Sequence, residues 1–334
     1  MKKMLLVAVT AGVVACGTQK NVENANPMEY AETITTSELQ NNLTTFASDE
    51  YEGRNTGEPG QKKAAEFIVN EYQQMGIEAP KGYSNYYQEI PTEFFNGKLK
   101  DSENVLGYIK GSEKPEEILV ITSHYDHVGV DDEGNIFNGA DDGGSGPMAI
   151  LEVAEAFKEA QKDGYTPKRS ILFIHLTGEE KGLLGSKYYV ENPVFPLANT
   201  VANLNMDMIG RIDKDHEGND NYIYLIGSDK LSTDLHELSE NVNSEYMNME
   251  LDYTYNDEND PNRFYYRSDH YNFAKNNIPV IFYFNGVHPD YHKPTDTAEK
   301  IEYEALKKRA QLVFLTAWEI ANRDERLVVD KAEE

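Results

Sequence analysis

Three short runs constrain the fold more than anything else in the chain: residues 117–123 (Glu-Ile-Leu-Val-Ile-Thr-Ser), 170–176 (Ser-Ile-Leu-Phe-Ile-His-Leu) and 279–284 (Pro-Val-Ile-Phe-Tyr-Phe). Each is a nearly continuous β-branched and aromatic stretch rather than an alternating one, the pattern of strands buried on both faces. Around them, apolar residues recur at helical spacing over 37–47, 60–75, 146–160, 231–242 and 303–321, and Gly76 stands where a helix C-cap belongs. This alternation predicts an α/β fold: a three-layer sandwich with a mostly parallel, mixed central sheet flanked by helices. Hydrophobic residues make up 39% of the 334, enough for one large core, and no internal repeat divides the chain.

Charge narrows the function. Asp and Glu total 58 against 31 Lys and Arg, a net charge of -27, which repels a phosphate backbone and argues against nucleic-acid binding. The same excess favours divalent cations. Cys16 is the single cysteine, so an intrachain disulfide, a thiol nucleophile and a cysteine-ligated zinc are all excluded.

Residues 1–15 have the layout of a secretory signal: Lys2 and Lys3, an apolar run from Met4 to Val9, then small residues up to Ala15. The segment is too short to span a bilayer. Val13-Val14-Ala15-Cys16 resembles a bacterial lipobox, so Cys16 is expected to be lipidated and to become the mature N-terminus. The protein is then expected to be an exported lipoprotein of the cell envelope, held to a membrane by that lipid. Residues 16–33 read as the lipidated Cys and a flexible tether, 34–326 as a single domain, and 327–334 as an acidic tail.

Ligand sites of open α/β sheets lie beyond the carboxyl ends of the strands, so polar residues just after an apolar run come first. Five segments qualify: Ser123-His124-Tyr125-Asp126-His127; Asn138-Gly139-Ala140-Asp141-Asp142 with the glycines that follow; His175-Leu176-Thr177-Gly178-Glu179-Glu180; Asp207 in an otherwise apolar stretch; and His288-Pro289-Asp290-Tyr291-His292. Each alone has a plain structural explanation, such as helix N-terminal charge for the paired acids. Together they supply imidazole and carboxylate ligands without a thiolate, which suits a hydrolytic zinc site.

The ordered set His124-x-Asp126, Asp141-Asp142, Glu179-Glu180, Asp207 and His292 resembles the dizinc peptidases of family M28. Tyr51-Glu52-Gly53-Arg54, Gly57-Glu58-Pro59-Gly60 and Arg267-Ser268-Asp269-His270 add to the likeness, which runs from about Ala47 to the C-terminus. The resemblance implies a zinc-exopeptidase-like fold and two Zn2+, with His124 and Asp207 on one, Glu180 and His292 on the other, and Asp141 together with a water or hydroxide bridging them. Glu179 would be the general base, Asp126 would support His124 from behind, and a cis peptide would follow Asp141. Two dications, three carboxylates and a hydroxide sum to zero, compatible with burial. Tyr265, Tyr266 and Arg267 stand near the position from which the family draws oxyanion and substrate contacts.

The activity implied is release of N-terminal residues from peptides. A carboxypeptidase would need a cation for the terminal carboxylate, and Arg54, Arg211, Arg263 and Arg267 are candidates. Glutaminyl cyclase chemistry on a related scaffold, or a lipid-anchored binding protein without catalysis, are the remaining alternatives. Residues 83–114 are too few for the protease-associated insert of many relatives, while 213–221 and 253–262 read as exposed loops able to border a cleft.

Overall fold

A computed structural model describes residues 19–331. The signal segment and Cys16 lie outside the described residues. In chain order the strands are β1 (Tyr87–Ile90), β2 (Ser102–Ile109), β3 (Lys114–His124), β4 (Gly129–Val130), β5 (Ile136–Phe137), β6 (Arg169–Leu176), β7 (Thr200–Met206), β8 (Tyr222–Ile226), β9 (Glu250–Asp252) and β10 (Val280–Phe284). The helices are α1 (Pro27–Ala31), α2 (Thr36–Phe46), α3 (Pro59–Met75), α4 (Gly146–Lys162), α5 (Leu184–Glu191), α6 (Thr233–Val242), α7 (His270–Ala274) and α8 (Tyr303–Asn322). Eight strands form one sheet in the order β1-β2-β6-β3-β7-β10-β8-β9, and β4 and β5 form a separate hairpin.

The centre of the sheet is parallel, β3 pairing with β6 and β7, and β7 with β10. Antiparallel pairing of β2 with β6 and of β8 with β10 makes it mixed. Strand residues alternate between two apolar layers. Leu119, Ile121, Ile171 and Phe173 pack beneath α2, α3, α4 and α8, whereas Ile118, Val120, Leu172 and Ile174 pack against α5 and α7. This is the expected three-layer α/β sandwich.

The five expected helices are present, with ends set by local chemistry. Thr35 caps α2 by accepting from the Glu38 N–H while its hydroxyl donates to the Glu38 carboxylate at 2.6 Å. Gly76 ends α3 at φ 72, in the left-handed region that glycine tolerates. Seven strands, β1, β2, β4, β5, β7, β8 and β9, lie outside the three runs marked in the sequence. In β2 the polar start Ser102-Glu103-Asn104 masks the apolar pattern, and Gly107 is needed because the Tyr72 ring would lie 2.6 Å from a Cβ there.

The tether is shorter than the sequence suggests. Lys20 N–H donates to Gly164 O at 2.9 Å, Glu23 pairs with Lys168 at 2.9 Å, Val22 is buried, and Tyr30 stacks on Trp318 at 5.8 Å. Apolar burial and these polar ties dock residues 19–33 on the body. The acidic tail is likewise held up to Lys331: Leu327 is buried, and Asp330 accepts from Thr233 N–H at 2.9 Å, capping α6.

Candidate metal centre

The parallel strands deliver their polar residues to one end of the sheet. His124 closes β3, and its Nδ1 faces the Asp126 carbonyl at 3.1 Å, which makes Nδ1 the protonated nitrogen and leaves the Nε2 lone pair free. That Nε2 lies 3.1 Å from Asp207 Oδ1 and 3.3 Å from Asp142 Oδ1. Asp207 follows β7 directly and is fixed by the Ser268 hydroxyl, which donates to Oδ2 at 2.7 Å. Support for His124 thus comes from the Asp126 backbone. The Asp126 carboxylate, 3.9 Å from Nδ1, instead accepts from Thr56 at 2.6 Å and from the Glu179 N–H at 3.2 Å.

A second group adjoins the first. His127 Nδ1 lies 3.0 Å from Glu180 Oε1 and 3.7 Å from Asp142 Oδ2, while His292 Nε2 lies 3.0 Å from Asp142 Oδ2 and 3.2 Å from Glu180 Oε2. Potential ligand atoms of His124, Asp142 and Asp207 lie within 4.8 Å of one another, as do those of His127, Asp142 and Glu180. Asp142 belongs to both groups.

This corrects the expected bridge. Asp141 is turned away: its Oδ1 accepts from Gly210 N–H at 2.6 Å and its Oδ2 lies 3.2 Å from His288 Nε2. The reason is a backbone clamp, since Asp296 Oδ2 accepts from the N–H groups of both Asp141 (3.0 Å) and Asp142 (3.2 Å). Positive φ at Gly143 (+73) then lets the chain turn beside the His124 ring. No peptide bond among the described residues is cis, contrary to the expectation after Asp141. His127 was inside a quoted segment but had no assigned role. Its signal was its place at the carboxyl end of β3, three residues after His124.

The electrostatics are those of converging lone pairs. Burial alone would raise the Asp142 carboxyl, yet the imidazoles of His127, His124 and His292 hold it well below the usual range. Burial works against protonation of His292, but Asp142 and Glu180 push it up to about 10. Asp142 Oδ2 and His127 Nε2 are buried without a hydrogen-bond partner. Imidazole nitrogens and carboxylate oxygens facing one another at these spacings, with no thiolate, fit a pair of divalent cations such as zinc. Glu179 stands apart from both groups, its backbone pinned by Asp126. Burial, reinforced by Asp207 and Glu180 against the opposing His124, pushes its carboxyl well above the ordinary range.

A cleft opens over these groups, lined by Asp142, Glu179, Asp207 and His292 on its floor, with Met208, Phe264, Phe282, Phe284, Val287, Tyr291 and Arg267 around it. Of the four candidate arginines, Arg267 alone is among the lining residues. Arg54 is wholly buried, donating to the carbonyls of Tyr125, Phe46, Asn138 and Gly139, where it clamps the loops carrying Asp126 and Asp142. Arg211 pairs with Asp290 at 2.9 Å. Arg263 lies over the Tyr266 ring. Tyr265 and Tyr266 are not among the lining residues of this cleft and border a separate one of about 710 Å³, beside Arg263 and Tyr271. The phenol beside these groups is Tyr291, stacked on His292 at 4.0 Å and half-buried; burial first, then the charges of Asp142 and Asp207, push it up.

The profile of peptidase family M28 matches residues 104–317, and the chain belongs to that family; it is a hydrolase of the metallopeptidase class. Among curated proteins, a probable leucine aminopeptidase of Arthroderma benhamiae is 28% identical over 287 residues, covering 78% of this chain and 76% of that protein. Aminopeptidase YwaD of Bacillus subtilis is 29% identical over 67% of this chain and 46% of its own length. Among solved structures, the LapA aminopeptidase of Legionella pneumophila superposes with a TM-score of 0.69 at 22% identity, covering 97% of this chain and 81% of that one. A zinc aminopeptidase of Bacillus subtilis follows at a TM-score of 0.66.

Proposed function

We propose that the protein is a zinc-dependent exopeptidase that removes N-terminal residues from peptides. The observation that carries this is the sharing of Asp142 by two imidazole–carboxylate groups beside a carboxyl, Glu179, that belongs to neither. His124, Asp142 and Asp207 would hold one cation; Asp142, Glu180 and His292, with His127 at their side, would hold the other. When bound, such a pair acidifies water and polarises a carbonyl. The chain's own groups do the rest. Glu179, with its carboxyl kept basic by burial and neighbouring acids, takes a proton from the attacking water and returns it to the leaving amine. Tyr291 donates its phenol hydrogen to the oxygen that gains charge at the scissile carbonyl.

The acidic floor favours a free ammonium over a terminal carboxylate, and the Met208, Phe282 and Phe284 wall suits an apolar N-terminal side chain. Arg267 at the rim is the observation favouring the carboxypeptidase reading. Both are tested by one experiment: zinc-loaded protein is incubated with peptides bearing either acetylated N-termini or amidated C-termini, beside a chelated control, and the products are weighed by mass spectrometry. Stepwise loss from free N-termini, blocked by acetylation and by chelator, is the expected result; loss from free C-termini would replace it with the second reading. The signal-like segment and the lipobox-like Val13-Val14-Ala15-Cys16 support an exported lipoprotein, anchored in the cell envelope through Cys16 and acting on peptides.

A further inference from the structure

The described chain begins at the end of the sheet opposite the cleft. Gln19 donates to Thr166 O, Lys20 to Gly164 O, and Glu23 pairs with Lys168, all in the segment that leads into β6. The metal groups follow the other ends of the same strands: β3 ends at His124, while Leu176 of β6 is three residues before Glu179. Eight residues of β6 at about 3.3 Å each separate the two ends by about 25 Å.

We infer that this end of the sheet is the membrane-facing surface of the enzyme, so that the cleft opens away from the bilayer. The inference rests on the lipid-anchor reading of Cys16. Cys16 precedes Gln19 by three residues, and three extended residues reach only about 10 Å. A diacylglyceryl group on Cys16 therefore brings the Gln19–Lys168 end against the headgroups, and the tether is too short to let the body turn over. Charge agrees. Segments 19–24, 110–117, 162–169 and 322–326, which meet at this end, hold eight basic and seven acidic residues in a chain of net charge -27. Arg169 joins them, donating to Ile320 O at 2.9 Å and pairing with Glu117 at 2.6 Å. The rest of the surface carries the acidic excess and is repelled by anionic lipid. The substrates reached in this pose are peptides in the aqueous phase, not segments embedded in the bilayer.

The test uses the full lipidated protein in phosphatidylglycerol-containing vesicles. Lipidation consumes the Cys16 thiol, so a Cys introduced by Lys110→Cys at the end of β2, or by Glu133→Cys on the β4–β5 hairpin at the cleft end, is the one free thiol for a fluorophore; both sites are exposed and outside the catalytic groups. With a headgroup-labelled acceptor lipid, energy transfer several-fold stronger from position 110 than from position 133 is the expected result. Equal transfer, or stronger transfer from position 133, overturns the orientation while leaving the anchor intact. A mature protein whose mass shows no lipid overturns anchor and orientation together, and peptide hydrolysis in the same samples reports separately on the exopeptidase reading.

Discussion

Glu152 is the acid most out of place in the fold. It sits on α4 with 2% of its surface exposed, and burial first, then the charges of Glu38 and Glu155, push its carboxyl from 4.5 up to about 8, against a backbone hydrogen bond from Thr35. Because the folded chain holds this proton more tightly than the unfolded one, the stability linked to Glu152 is complete below pH 4.5 and is lost as pH rises towards 8. At pH 7 the solution is 2.5 units above the unfolded value of 4.5, so keeping the group protonated costs about 3 kcal/mol at 1.36 kcal/mol per unit, levelling near 5 kcal/mol above pH 8. Glu152→Gln keeps the shape and cannot ionise. Urea unfolding of both proteins at several pH values, at matched zinc, should show a stability difference that grows by about 3 kcal/mol from pH 4.5 to 7 in favour of the variant. An amide lacking an acceptor adds a constant offset and leaves the slope alone. A difference that does not change with pH would refute the argument.

Glu179→Gln should retain the metal content of the parent while lowering kcat about 10²- to 10⁴-fold, read by elemental analysis beside steady-state kinetics. Asp142→Asn should abolish binding of both cations after chelation and reloading, whereas Asp141→Asn should keep two per chain, because only Asp142 faces both groups. Tyr291→Phe should lower kcat about 10²-fold with KM little changed, while Tyr265→Phe and Tyr266→Phe should leave both near the parent values.

The sheet's centre was legible because strands buried on both faces admit little but apolar residues: β3, β6 and β10 announce themselves, and the polar residues that follow them mark the site. Edge strands were not legible. β1 and β9 have four and three residues and one neighbour each, so no period can develop in them. The docking of residues 19–33 was hidden for a related reason. Asn21, Glu23 and Asn26 are polar in sequence, but Asn21 and Asn26 cap short helical turns and Glu23 accepts from Lys168, a residue 145 positions away.

The identity of the carboxylate shared by the two groups shows where reading along a chain stops. Asp141 and Asp142 are the same side chain in adjacent positions, each followed closely by glycine, and composition offers nothing to separate them. They part only through their partners. The Gly210 N–H, 69 positions on, takes one Asp141 oxygen, and His288 faces the other. The Asp296 carboxylate, 155 positions on, grips the Asp141 backbone and, with it, that of Asp142, so the Asp142 side chain is the one aimed between His124 and His292. Asp296 is itself approached by Arg211, which also pairs with Asp290 next to Tyr291. One network of polar contacts therefore sets both the carboxylate shared by the two groups and the loop that brings Tyr291 and His292 over it, and a reading that stops at the motif meets neither.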